Sequence, residues 1–129
     1  MKKYILNIVL GIMLICSTKI TLSQGTVEDQ YKQMGGIAGL SELCFGSTKV
    51  QQILIPKLGE TLISNPEFGG YISKILSLYF ESYDVAQKQK IIWNGTTQEY
   101  NKKAFDCSKD EDKKQILILE EQFIQEIKK

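Results

Sequence analysis

One stretch of the chain, beginning at Asn65-Pro66, constrains the fold most, because five apolar residues and one small serine are spaced alternately by four and three positions. They are Phe68, Ile72, Ile75, Tyr79, Ser82 and Ala86. This spacing places them on one face of an α-helix, which Tyr71, Leu78 and Val85 broaden. Asn65 can cap the helix, and Pro66 suits its first position, where an N–H would be unpaired anyway. The sequence therefore predicts a long helix with an apolar face to cover.

An earlier helix is predicted from Thr26, whose hydroxyl can cap it with Asp29 as capping-box partner, to Gly46. Its apolar residues are Tyr31, Met34, Ile37, Ala38, Leu40, Cys44 and Phe45. Gly35, Gly36 and Gly39 each weaken helix propensity by about 1 kcal/mol relative to alanine. We interpret these glycines as points of close helix packing; the alternative is a weak helix.

Two further helices complete the pattern. One starts at Ser47-Thr48, with Gln51 as its capping-box partner, and is expected to be kinked or split at Pro56. Its apolar stripe is Val50, Leu54, Leu58 and Leu62. The other starts at Ser108, with Glu111 as partner, and its stripe is Ile116, Leu119, Phe123 and Ile127, extended by Leu117 and Ile124. The fold class predicted is all-α, a small bundle of about four helices.

Between the last two helices, the stretch from Ile91 to Tyr100 permits two structures. Asn94-Gly95 is typical of a hairpin turn between β-branched neighbours, and Gly95 also suits a position just past a helix end. A lone hairpin is marginal without something to pack on. We favour a helix end followed by an irregular segment from Gly95 to Asp106, with the hairpin as the alternative.

The N-terminus has the pattern of a cleavable secretory signal. Lys2 and Lys3 precede an apolar run from Ile5 to Cys16, and Thr21-Leu22-Ser23 places small residues at −3 and −1 of a cleavage site. The run is too short for the ~20 apolar residues that span a bilayer. We expect a signal peptide over 1–23, one domain over 24–129, and no stable membrane insertion after cleavage.

Export implies a periplasmic or extracellular location. A lipoprotein anchored through Cys16 is the less favoured alternative, because bulky Ile15 precedes the cysteine where such sites have a small residue. After cleavage Cys44 and Cys107 remain, and an even pair in an oxidising compartment predicts one disulfide, with two free thiols as the alternative.

Composition excludes several classes of function. All sixteen basic residues are lysine, and losing Lys2, Lys3 and Lys19 with the signal changes the net charge from +1 to −2, so nucleic-acid binding is not expected. The chain has no histidine, which removes serine and cysteine triads and histidine zinc sites. No cofactor is expected.

Two acidic patterns resemble chemical sites. Glu81 and Asp84 are three residues apart, as a carboxylate-based hydrolase could use, but a solvated helix face explains them better. The run 106–112 starts like a calcium loop, yet Glu111 stands where glycine is needed and Leu117 where a glutamate is needed. We expect neither catalysis nor a metal.

The favoured function is an exported, non-enzymatic protein of inhibitor, immunity or chaperone type that binds another protein. The hypothetical contact residues are Trp93, Tyr100, Lys102 and Lys103, because aromatic residues on an irregular segment suit recognition if they project outward. Alternatively, both rings cover the core. The rival function is a carrier that holds an apolar small ligand between its helices.

Overall fold

The computed structural model describes residues 26–95 and 99–129. In this part of the chain the elements are, in order, α1 (Val27–Phe45), α2 (Lys49–Ser64), a 3₁₀ turn (Pro66–Phe68), α3 (Gly69–Gln89) and α4 (Asp110–Lys128). This is the all-α bundle of four helices that the apolar spacing predicts. The predicted signal peptide and Cys16 lie outside the described residues.

Helices α1 and α3 form the most extensive pairing in the bundle, and glycine permits their close approach. A Cβ atom at Gly35 would overlap the backbone carbonyl of Tyr79, and one at Gly39 would lie 2.6 Å from the carbonyl oxygen of Tyr83. Larger side chains would push the two helices apart, since protein interiors have no spare volume. The interpretation of these glycines as packing positions is confirmed.

The core is built from the predicted stripes. Helix α4 packs on both α1 and α2, so residues from all four helices join one cluster. Its fully buried members include Tyr31, Met34, Ile37, Leu40, Leu54, Ile75, Tyr79, Ile116, Phe123 and Ile127. Three predicted stripe residues depart from the pattern, because Phe45, Leu62 and Leu117 are 37%, 38% and 46% exposed.

The first predicted capping box forms. The Asp29 N–H donates to Thr26 Oγ1 and the Thr26 N–H donates to Asp29 Oδ2, both over 3.2 Å. Gly46 ends α1 in the left-handed region, with φ 67°. The residues at each end therefore determine where this helix begins and ends: a capping box at its start and a glycine in the left-handed region at its end.

The other two capping boxes were predicted wrongly. The Ser47 hydroxyl donates over 2.7 Å to Glu120 Oε2 on α4, and Thr48 makes no side-chain cap to the backbone of α2. The Ser108 hydroxyl donates to Asp106 Oδ1, also over 2.7 Å, and α4 begins only at Asp110. Both hydroxyls therefore donate to a carboxylate, although Ser47 Oγ also accepts the Lys49 N–H of α2 over 3.5 Å.

Pro56 lies inside α2, which runs without interruption from Lys49 to Ser64. Of the two outcomes predicted there, division of the helix does not occur. Pro66 holds the first position of the 3₁₀ turn that leads into α3, as predicted, while Asn65 makes no side-chain cap. No helix of the described residues is long and apolar enough to cross a membrane.

Candidate functional site

The connecting segment, residues 90–109, joins α3 to α4 and forms one wall of the candidate site. Helix α3 ends where Lys90 adopts a left-handed conformation, with φ 61°, and donates its N–H to the Ala86 carbonyl over 2.8 Å. The helix end is thus five residues earlier than the Gly95 stop that the sequence favoured. Residues Ile91 to Trp93 therefore lie beyond the helix, and Ile92 and Trp93 are buried.

A minimal antiparallel hairpin follows, with Trp93 opposite Tyr100 in a β-bridge. The Asn101 N–H donates to the Ile92 carbonyl over 2.7 Å. Packing on α1 supplies the support that a lone hairpin lacks, because Ile92 Cγ2 lies 3.3 Å from where a Cβ atom at Gly36 would stand. The described residues of this segment contain this one bridge and no strand, so the irregular segment expected from Gly95 to Asp106 is interrupted only by this pairing, and of the hairpin alternative only the bridge is present. Residues 96–98 lie outside the described residues.

Trp93 does not project outward, so it offers no exposed contact to a partner. Its side chain is 2% exposed, Lys32 Nζ stands 4.1 Å from its ring centroid, and the Tyr100 ring meets it edge-on at 5.4 Å. In a domain this small, burying a large aromatic side chain stabilises the fold more than leaving it exposed would. For Trp93 the alternative of covering the core is correct; Tyr100 is partly buried, and burial raises the pKa of its phenol.

The far end of the connecting segment is held in three ways. The Phe105 N–H donates to the Lys90 carbonyl over 2.8 Å, and the Asp106 N–H donates to Asp112 Oδ2 over 2.9 Å. The predicted disulfide joins Cys107 to Cys44 at the end of α1, with their Cα atoms 5.2 Å apart. The exposed residues between hairpin and disulfide therefore start and finish at fixed points.

An open cleft of about 510 Å³ lies between this segment, α1 and α4. Helix α1 contributes Gln33 and Ile37, and α4 contributes Gln115 and Leu119. Each pair is spaced by four residues, so its members lie on one side of their helix. The connecting segment contributes Ile92, Asn101, Lys102, Lys103 and Phe105.

The cleft is basic at its opening and presents little apolar surface at its base. Ile37, Ile92 and Leu119 form the cleft floor but are at most 4% exposed, so they are almost covered, whereas Lys102 and Lys103 are exposed and form the basic rim. None of the described residues that line the cleft is acidic. Its local charge is therefore opposite in sign to the net charge of −2 of residues 24–129.

Of the residues predicted as partner contacts, only Lys102 and Lys103 line this cleft; Trp93 and Tyr100 lie beside it, paired with each other. Glu81 and Asp84 are exposed on α3 and do not line the cleft, and Asp84 Oδ2 pairs with Lys88 Nζ at 2.9 Å. The structure therefore does not bring these two carboxylates into this cleft.

The acids of the run 106–112 serve local structure. Asp106 Oδ1 accepts the Ser108 hydroxyl and N–H, which lowers the pKa of Asp106, and Asp112 Oδ2 accepts the Asp106 N–H. Within residues 26–95 and 99–129, no group of three histidine, cysteine or acidic side chains could hold a metal ion.

Sequence reasoning named Lys102 and Lys103 but missed the other seven residues that line the cleft: Gln33, Ile37, Ile92, Asn101, Phe105, Gln115 and Leu119. A faint indication existed, since each glutamine precedes an apolar residue by four positions on a predicted helix. Nothing in the sequence, however, shows that these two helix faces meet the connecting segment.

Fold and cleft together define a disulfide-linked helical bundle with a basic depression between α1, α4 and the connecting segment. No protein-family model, curated protein or solved structure matches this chain.

Proposed function

We propose that this chain is an exported, non-enzymatic binding protein that holds a small ligand in the cleft. The observation that carries the proposal is the cleft itself, an open depression of about 510 Å³ lined by amide and ammonium side chains above a covered apolar base. Its volume lies within the roughly 300–1,000 Å³ that small-molecule sites typically enclose. The carrier, which the sequence placed second, is thereby the better supported function.

Binding of another protein is the second candidate. A stable protein interface takes about 800 Å² per partner and is usually anchored by aromatic residues, but the predicted anchor Trp93 is 2% exposed. What favours this candidate is the exposed run of Lys102, Lys103 and Ala104, which suits an acidic partner surface. An inhibitor, immunity or chaperone role would use this run.

The chemistry of the cleft supports binding over catalysis. Its described lining residues include no histidine, carboxylate, thiol or hydroxyl side chain, so the usual general bases and oxygen or sulfur nucleophiles are missing from it. Asn101 and Gln115 supply amides, which orient ligands by hydrogen bonds. These residue types suit retention of a ligand.

The disulfide between Cys44 and Cys107 supports export, because such bonds persist in oxidising compartments. The predicted signal peptide over 1–23 and this bond point to the same location, the periplasm or the exterior. A binding protein there would collect or shield a ligand outside the cytoplasm.

The test is NMR titration of the 24–129 chain with a panel of small neutral and charged amphiphiles. Saturable shifts at the amides of Ile37, Ile92, Phe105 and Leu119 are expected. Gln115→Trp, which fills the cleft, should abolish them, whereas Gln125→Trp on the exposed side of α4 should not. No saturable shift with any member of the panel would contradict the proposal.

A further inference from the structure

We propose that the outer face of α2 is the surface through which two copies of this chain form a weak, antiparallel dimer. Such a dimer leaves the cleft open and is independent of ligand binding, because α2 contributes no residue to the cleft. Three properties of this face support a second copy as its partner: exposed apolar side chains, the absence of charge, and a shape that is complementary to itself.

The outer face of α2 is apolar where a solvent-facing helix surface usually carries charged residues. Because successive residues of an α-helix are about 100° apart, six residues of α2 lie on an arc of about 120° that points away from its buried residues. They are Gln52, Ile55, Pro56, Gly59, Leu62 and Ile63. Ile63 is 83% exposed, and Ile55 and Leu62 are 40% and 38% exposed. Contiguous apolar surface of this kind is typical of an interaction site.

The charge pattern permits this face to pair with itself. All residues of α2 are described, and none on the arc is charged; the nearest charged residues, Lys49 and Glu60, lie at one edge of it. In a two-fold symmetric interface the same surface of each copy meets itself, so a charge on the arc would face a like charge. Residues 24–129 also carry a net charge of only −2, so overall repulsion between copies is weak. A membrane-binding helix, by contrast, has several lysines beside its apolar face.

The shape of the face is complementary to itself. Ile63 projects into solvent, whereas Gly59, one turn earlier on the same face, leaves a notch, since a Cβ atom there would meet nothing within 4 Å. If two α2 helices pack antiparallel with the two-fold axis at the level of Thr61, Ile63 of each copy lies beside Gly59 of the other. The projecting side chain and the notch therefore fit together twice in one dimer.

The same chain already uses glycine for close helix packing. Gly35 and Gly39 of α1 permit the backbone of α3 to approach at Tyr79 and Tyr83. Gly59 also weakens the helix propensity of α2 relative to alanine, yet no neighbour among the described residues requires its small size. A second α2 helix would be the neighbour that does.

The size of the face predicts a weak dimer. A helix of 16 residues is about 24 Å long and about 10 Å across, so the face covers roughly 240 Å². A stable interface takes about 800 Å² per partner. We therefore expect monomers at micromolar concentration and dimers only as the concentration approaches about 1 mM.

Sedimentation equilibrium of the exported protein from about 10 µM to about 1 mM tests the dimer. The average mass should rise from the monomer value toward twice that value, and NMR shifts on dilution should concentrate at the amides of residues 52–63. Ile63→Glu should weaken the association about tenfold or more, because the carboxylate would lose its hydration in an apolar contact. Leu117→Glu is the matched control on α4, where the leucine is 46% exposed, and should leave the association unchanged.

An exchange of the two complementary residues tests the antiparallel arrangement. Gly59→Ile alone fills the notch and Ile63→Gly alone removes the projecting side chain, so each should weaken the association about fivefold. Combined, the two substitutions should restore it to within about twofold, because position 59 of one copy still meets position 63 of the other. Far-UV circular dichroism should show every variant to be as helical as the wild type, since a Cβ atom at Gly59 meets no neighbour and Ile63 is exposed.

Three results would overturn the dimer: a monomer mass up to about 1 mM, equal effects of Ile63→Glu and Leu117→Glu, or a combined exchange variant no stronger than the single ones. Binding of a monomeric protein to neutral phospholipid vesicles, lost in Ile63→Glu, would assign the face to a membrane surface instead. The cleft is tested separately through the amides that line it, so failure of the dimer leaves the proposed function unaffected.

Discussion

Gly35 of α1 and Tyr79 of α3 meet backbone to backbone: a Cβ atom at position 35 would overlap the Tyr79 carbonyl group. This contact allows the two helices to approach closely and bury Tyr79 completely. The same closeness brings α1 near the start of the connecting segment, where Gly36 faces Ile92 of the cleft floor. One run of glycines thus serves both the core and the candidate site.

Replacing Gly35 by alanine should therefore destabilise the protein, although alanine favours helix formation. We expect the free energy of unfolding to fall by about 2–3 kcal/mol, because backbone overlap cannot be relieved by a rotamer change. Gly59→Ala is the matched control on α2, where a Cβ atom meets nothing within 4 Å, and it should stabilise by about 0.5–1 kcal/mol. Urea denaturation measures both; equal effects would contradict the close contact.

Trp93→Ala should lower the free energy of unfolding by about 3–5 kcal/mol, as is typical for a buried aromatic side chain. Phe80→Ala removes an aromatic ring that is 41% exposed and should cost clearly less. Denaturant unfolding of the two variants distinguishes a structural Trp93 from a surface one. A cost below about 1 kcal/mol for Trp93→Ala would show that the ring is not part of the core.

Reduction of the Cys44–Cys107 bond should lower the melting temperature markedly. Closing a loop of 63 residues restricts the unfolded chain by roughly 4 kcal/mol in the chain-entropy model, a large share of the 5–15 kcal/mol typical of a domain. Scanning calorimetry of oxidised, reduced and doubly serine-substituted protein measures the loss. Two titratable thiols in the native protein would contradict the bond.

Low pH should lower the free energy of unfolding, because Glu28 and Asp106 become protonated. A backbone hydrogen bond, with help from Lys74, lowers the pKa of Glu28 below its ordinary 4.5, and bonds from Ser108 lower that of Asp106 below 3.8. Because the folded pKa values are the lower ones, this stability is present above pH 4.5 and is lost as the pH falls through them.

The acid effect can be measured as the urea midpoint between pH 6 and pH 2.5. Glu28→Gln should flatten the decline below pH 4.5, whereas Glu60→Gln, at an exposed position of α2, should leave the curve unchanged. Identical pH curves for the wild type and both variants would show that Glu28 does not contribute to the loss of stability in acid.

The exported protein should begin at Gln24 and carry no lipid. The motivation is the run Thr21-Leu22-Ser23 and the bulky Ile15 before Cys16. Intact-mass measurement of material recovered from outside the cytoplasm is the test. A mass that matches an acylated Cys16 as first residue would show that the exported protein is a lipoprotein and does not begin at Gln24.

Prediction from the sequence succeeded where the information is local. Spacing of four and three along 68–86 identified α3 because it depends only on helix geometry. The Thr26–Asp29 capping box formed because both partners lie within one turn of each other. The hydrogen bond from the Ser47 hydroxyl was not predicted, because its partner, Glu120, is 73 residues away in the sequence.

By itself, the sequence determined the helices and the apolar face of each from periodicity, and it favoured the pairing of Cys44 with Cys107 once Cys16 was assigned to the predicted signal. Only the tertiary structure decided that Trp93 is buried and that Gln33 and Gln115 line the same cleft as Lys102. The reason is physical: periodicity shows that a face must leave water, but which surfaces meet depends on the fit between elements distant in sequence. A cleft forms where the surfaces of such elements do not fit together completely, so no local pattern in the sequence can specify it.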